Sequence, residues 1–396
     1  MAENKFNFKK INVELSKAYN WSESKKEAEF VKYGTDNKFP FHLIDLYNKS
    51  SIHGACVNAI VEGIIGGGLT ANEEAYLAKA NKHGETWNSI FDKIALDYKL
   101  FGSYALEVIF TNDRQNIEVY HVDFSTVRAG KKDHHGYICE YFISNEWEKA
   151  WTYTKALMED VIILPAYNPS EALEKPHQLY VHKNYRPGQE YYPLPDYVGA
   201  LRIIELDSEV DNFHVNNIKN GLAPSLAITT FTNGSDDQLR SIEQQLNANY
   251  GGSNNAGSLM YLDVDSPENA PQIVPIPQNG ADNYYTTIND MVVQKILTGH
   301  RITSPMILGI KEAGQLGGRD EVIDAYLLLQ NTVFKPFQQE ILSSLESLMK
   351  INFPDIVLGI NQKKLFDDGT EEEEVVTNTD TTDAEQADIE QPELLG

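Results

Sequence analysis

The longest apolar rhythm in the chain lies near its C-terminal end, in EVIDAYLLLQNTVFKPFQQEILSSLESLMKI. Val322, Tyr326, Val333, Phe337, Ile341, Leu345 and Leu348 recur there at steps of three, four and seven residues. That spacing sets one apolar stripe along an α-helix. Pro336 falls inside the stripe and is expected to kink the helix, because proline lacks an N–H and crowds the preceding turn. Just upstream, NYYTTINDMVVQKILTGHRITSPMILGI predicts another helix followed by a short apolar turn. Gly314, Gly317 and Gly318 give the connection between the two helices its freedom.

The rest of the chain alternates between helical and strand rhythms. Asp36, Asn37 and Pro40 predict a turn before a helix. In SSIHGACVNAIVEGIIGGGL, Ile52, Cys56, Ile60 and Ile64 stand four apart, and Gly66–Gly68 predict the stop. Ile90, Ile94, Tyr98 and Phe101 carry the next helical period. Leu106, Val108 and Phe110, then Ile117, Val119 and His121, alternate as strands across a turn at Asn112-Asp113. Further strands are expected near 136–145, 151–154 and 160–165, and VHKNYRPGQEYYPLPDY is expected to form a loop. Residues 196–220 predict a long helix with Leu201, Ile204, Val210, Phe213 and Ile218 towards one face. After it come an apolar run SLAITTF, a helix DDQLRSIEQQLNANY with Ser235 as N-cap, a loop GGSNNAG and a strand SLMYLDV.

Composition narrows the function. With 396 residues, the chain can bury a core in more than one subdomain. Its net charge is −25, which argues against tight grip on phosphates, since that grip comes from Lys and Arg. From Asp367 to Glu393 stand twelve acids and no Lys or Arg, so this tail carries about half the net charge and is expected to be disordered. The two cysteines do not make a disulfide framework, the first residues hold no apolar core of signal-peptide length, and no run approaches membrane-spanning length. A host-cytoplasmic origin is expected. The glycine triplet lacks the Lys-Ser/Thr of a phosphate loop and closes a helix instead of opening one.

Three short stretches and their order resemble the portal proteins of tailed phages, the rings through which DNA enters and leaves a capsid. These are D-Y-x-x-x-G-x-x-x-L-E-V followed by VDFSTVR, then ITSPMILG, then a glycine loop and a long helix with FKPF. The resemblance spans roughly residues 35–351. It implies an α+β portal fold with an α/β wing, long stem helices, an inserted α/β clip, a long Pro-kinked C-terminal helix and a disordered acidic tail. The segments would be an N-terminal stretch 1–50, wing 51–195, stem helix 196–220, clip 221–280, stem helix 281–301, a second wing part 302–351, a small crown or end segment 352–366 and the tail 367–396.

The same resemblance implies a dodecameric ring at one vertex of the virion, no catalysis and no cofactor. Its partners would be the terminase large subunit, a head–tail connector, the major capsid or scaffolding protein and, transiently, double-stranded DNA, with no membrane. A tunnel loop at 311–319 would face DNA, with Lys311 and Arg319 as its cations beside Gln315, Gly317 and Gly318. Glu205 and Glu209 would line the channel along the stem, although Glu205, Asp207, Glu209 and Asp211 step around the helix and cannot all do so. In the clip, Asp236, Asp237, Arg240, Gln244, Asn254 and Asn255 would meet partners.

Other readings compete. Another virion structural protein, of tail or baseplate, would share the acidity, and a hydrolase could use scattered carboxylates and histidines. Asp133-His134-His135 suggests a metal, but neighbouring residues of a strand point to opposite faces and no further ligand set is evident. His300 beside Arg301 at a helix end suits a cation facing the helix dipole better than a base.

Overall fold

The computed structural model describes residues 22–23, 30–112, 115–147, 161–219, 224–230, 258–263, 281–309 and 319–362. They fall within one compact unit, Met1–Gln362; the acidic tail belongs to a second unit, Lys363–Gly396, outside the described residues.

Three helices build the first layer. α1 (Phe39–Lys49) has Pro40 in its first turn, where the missing N–H costs nothing. α2 (Ser51–Ile65) begins at Ser50, whose Oγ accepts from the His53 N–H at 3.1 Å, and ends at Gly66. α3 (Trp87–Phe101) begins at Thr86, whose Oγ1 accepts from the Ser89 N–H at 3.2 Å, and ends at Gly102 in the left-handed region. The stripes Cys56–Ile60–Ile64 and Ile90–Ile94–Tyr98–Phe101 are buried in a common core.

The strands form small sheets. β1 (Ser22–Glu23) pairs with β2 (Val31–Lys32). β3 (Leu69–Ala71) follows the glycine triplet. β4 (Ser103–Phe110) lies between β5 (Ile117–Val122) and β9 (His177–Lys183), antiparallel to both. A second antiparallel sheet joins β6 (Val127–Ala129), β7 (Glu140–Ile143) and β8 (Ile162–Pro165). The strand expected at 151–154 lies outside the described residues.

β9 corrects the sequence reading, which placed Val181–Lys183 in a loop. The strand hides its rhythm because Gln178 occupies a fully buried position. Its amide is satisfied by the carbonyls of Asn168 and Lys175, each at 2.9 Å.

The long helix expected near the C-terminal end is α6 (Arg319–Leu329), a π turn (Gln330–Phe334) and α7 (Lys335–Met349) in succession. The π turn sets Pro336 into the first turn of α7, where its lack of an N–H is tolerated. Gln338 donates from Nε2 to the Ile64 carbonyl at 3.0 Å and the Gly63 carbonyl at 3.2 Å, capping the end of α2. After α7 the chain turns back, and β12 (Leu358–Ile360) pairs antiparallel with β3. Residues of the expected crown or end segment, as far as Gln362, therefore return to the body.

Two further helices lie side by side. α4 (Leu201–Lys219) follows a single 3-10 turn at Val198–Ala200, and α5 is Ala281–Gly299. The start of α4 meets the end of α5: a Cβ on Gly299 would stand 2.4 Å from that of Ala200. The two helices thus form a hairpin. From its far end, α4 continues towards β10 (Pro224–Thr230), and β11 (Ser258–Asp263) precedes α5. β10 and β11 pair in parallel, which requires a crossover between them; residues 231–257 are long enough to make one.

Candidate functional site: the helical hairpin and its polar joint

The hairpin is held to the body by buried polar groups, not by apolar packing alone. From α4, Glu205 and Asp207 turn inward and are at most 8% exposed. Glu205 Oε1 accepts from His42 Nε2 of α1 at 2.8 Å. Asp207 Oδ2 accepts from the Ser50 hydroxyl at 2.7 Å, the same hydroxyl that caps α2. Burial raises the Asp207 carboxyl above its ordinary range, partly opposed by the Ser50 hydrogen bond.

Just after α5, His300 is fully buried, and its Nε2 lies 2.8 Å from Nδ1 of the equally buried His53 on α2. Tyr197 packs against both imidazoles, with ring centroids 4.7 Å from His53 and 4.9 Å from His300. Burial, reinforced by the Lys99 cation, holds His53 down at about 3. Burial, Lys99, His53 and Arg301 together keep His300 well below its ordinary value. Both rings are therefore neutral near pH 7. This overturns the charged-cap reading of His300.

Arg301 takes the turn after α5 in the left-handed region, at φ 61°. Its N–H bonds the Thr298 carbonyl at 3.0 Å, and the Ile302 N–H bonds the Leu297 carbonyl at 2.9 Å, a Schellman closure with Arg in the usual glycine position. Arg301 is held there by Asp196: Nη2 donates to Oδ2 at 3.0 Å. The other Asp196 oxygen accepts from the fully buried Lys99 ammonium of α3 at 2.7 Å. Lys99 also faces the rings of Tyr197 and Phe337 at 5.5 and 5.7 Å. Burial lowers the Lys99 pKa and Asp196 opposes that shift.

The residues named from sequence are scattered over the chain. Lys311, Gln315, Gly317 and Gly318, with Asp236, Asp237, Arg240, Gln244, Asn254 and Asn255, lie outside the described residues. Arg319 is the first residue of α6. Glu205 faces His42 inside the fold, while Glu209, Asp211 and Arg202 are exposed on α4. His134 and His135 lie in a turn, not a strand, and their rings approach to 3.8 Å instead of diverging. Among the described residues no three His, Cys, Asp or Glu side chains converge on a metal position. Among them, too, no helix is long and apolar enough to cross a membrane.

The joint itself escaped the sequence reading. One signal was available: Val292 and Ile296 on α5 and His300 just after it are spaced by four, and His53 precedes Cys56 on the buried stripe of α2. A histidine on an apolar stripe marks a buried polar contact.

Comparison with known proteins bears on the identity of the hairpin-bearing fold. No family model matches the chain. A probable portal protein of Haemophilus phage HP1 (strain HP1c1) is 24% identical over 181 residues, which are 43% of this chain. The chain spans about half (51%) of that relative's length. Among solved structures, a chain in the virion of a native gene transfer agent particle matches with a TM-score of 0.53 at 14% identity, over 81% of this chain and 83% of that one. Chains in the neck of the empty particle, computed with C6 symmetry, and in the neck of the native particle, computed with C12 symmetry, match with TM-scores of 0.53 and 0.50. Their identities are 13% and 14%; each match covers 81% of this chain, and 84% and 83% of theirs. The chain thus shares an α+β fold with chains of a gene transfer agent particle. The resemblance to tailed-phage portal proteins read from the sequence holds.

Proposed function

We propose that the chain is a portal subunit: twelve copies form a ring at one capsid vertex, and genomic DNA is packaged and ejected through it. The observation that carries this reading is the likeness to chains of a particle neck, over 81% of the chain, together with the portal relative. In the ring, α4 and α5 are the stem, and the segment between them, residues 221–280, is the clip that meets the terminase large subunit and later a head–tail connector. The exposed Glu209 on α4 lines the channel in this reading, and Glu205, held by His42, anchors the stem to the wing. Residues 311–319 form the tunnel loop.

The mechanism is geometric and electrostatic. A negative wall repels phosphate, so the duplex passes without adhering. The wing, α1–α3 with the β4 and β7 sheets, meets the capsid or scaffolding protein. The protein is a conduit in the virion, made in the host cytoplasm, and not a catalyst.

The test is co-purification. Assembled chain should retain the terminase large subunit, and substitution of Arg240 and Gln244 by Glu should release it while rings persist. Rings that never retain terminase under any condition would contradict the packaging role.

A further inference from the structure

We propose that His53 and His300 form an acid-releasable latch that fixes the end of α5 to α2 and so determines whether the helical hairpin is held to the body. This stands on the fold of a single chain and goes beyond the portal reading.

The geometry allows one hydrogen bond between the two rings, at 2.8 Å. One ring donates its N–H and the other accepts, which requires the accepting ring to be neutral. The remaining nitrogens, His53 Nε2 and His300 Nδ1, are buried and find no hydrogen-bond partner. A first added proton would therefore enter at the outer nitrogen of the donating ring, where there is no acceptor to receive the new N–H. A second would convert the accepting nitrogen into a donor and set two N–H groups against each other.

The surroundings make that proton costlier. On α3, Lys99 faces both rings, and Arg301 follows His300 in the turn after α5. Asp196 is the facing acid, and its two oxygens already serve Lys99 and Arg301. Cys56 on α2 is buried and held protonated, its thiol pushed up to about 12. Tyr197 is likewise kept neutral by burial. Of the other polar groups at the joint, Asp207 is engaged by Ser50 and Glu205 by His42. The site thus tolerates neutral imidazole and rejects imidazolium.

The contact is also placed where release matters. Arg301 sits in the left-handed region immediately after His300, so the turn leaving α5 is a conformation that Asp196 must hold. Loss of the imidazole pair leaves that turn restrained by Asp196 alone among the ionisable partners described here.

Hydrogen–deuterium exchange on the full chain at pH 7.5 and pH 5.0, corrected for intrinsic rates, tests the latch. If opening restores an ordinary histidine pKa, each released histidine favours the open form by about thirtyfold over that interval. The expected result is faster exchange by at least that factor in peptides covering 292–302 and 51–60, with peptides unchanged around Asp97 of α3 and His121 of β5, whose Oδ2 and Nε2 lie 2.9 Å apart away from the joint. A chain carrying H53N and H300N should show no such local pH dependence. No acceleration, uniform acceleration along the chain, or the same local acceleration in the double variant would overturn the proposal. Should that variant fail to fold, the wild-type profile decides alone: acceleration must track loss of the neutral-imidazole NMR signals of His53 and His300, and acceleration without it would overturn the latch.

Discussion

The ring of Phe334 rests on the bare backbone of Gly63, so closely that a Cβ built on that glycine would stand 2.2 Å from the ring's Cζ. Phe334 closes the π turn that sets Pro336 into the start of α7, and Gly63 lies in the last turn of α2. The two helices interlock at this point, and Gln338 bonds the carbonyls of Gly63 and Ile64 beside it.

Gly63→Ala should therefore destabilise the chain although alanine favours helix. Overpacking costs about 1–3 kcal/mol, more than the roughly 1 kcal/mol that alanine gains over glycine in a helix. Chemical denaturation should show a lower midpoint with an unchanged slope. A raised midpoint would mean that the ring is free to move aside.

Asp196 should matter more than Arg301. Removing the carboxylate with Asp196→Ala leaves the buried Lys99 ammonium without its counter-charge, a loss of about 3–5 kcal/mol. Arg301→Ala removes only a half-exposed partner and should cost much less. Equal losses in the two variants, measured by denaturation, would contradict this ordering.

Stability should fall on mild acidification. His53 and His300 are neutral in the fold because burial lowers their pKa values, while the unfolded chain protonates them near pH 6.5. Below that pH the unfolded state binds more protons, so stability rises with pH and is lost as pH drops from about 6.5 towards 5, by about 2 kcal/mol per histidine at pH 5. His182, lowered by burial, acts in the same direction. Asp97 and Asp207, raised by burial, act in the opposite direction. Thermal melts from pH 7.5 to 5 should show a falling midpoint; a flat profile would remove both histidines from the account.

Much of the fold was legible in the sequence because its core is periodic. The α2, α3 and α7 stripes and the β4–β5 alternation use apolar residues at core positions, which is what pattern reading detects. The joint was not legible for the same reason. Glu205, Asp207, His53 and His300 hold inward positions with polar side chains, so each reads as surface until its partner is known. His53 and His300 are separated by 247 residues, and only the tertiary fold brings them together. β9 was lost in the same way, through the buried Gln178. The roles proposed for residues 311–319 and 221–280 rest on resemblance alone, because no side-chain pattern there marks a partner.

Ring assembly should depend on salt. A dodecamer of chains at −25 each carries on the order of −300 charges, and closing it brings like charges within a Debye length unless they are screened. Mass photometry across a salt series should show the ring fraction rising with ionic strength. A ring fraction indifferent to salt would mean that the acids are paired across the subunit contacts.

Whether this fold builds a ring with an open axis is decided by electron microscopy of the purified chain at low and high salt. The account predicts rings of twelve subunits with a central hole about 20 Å wide or more, enough for the DNA duplex whose major groove alone is about 12 Å wide. Monomers or dimers at every salt and protein concentration, with scaffolding and capsid proteins co-expressed as well as without them, would contradict it.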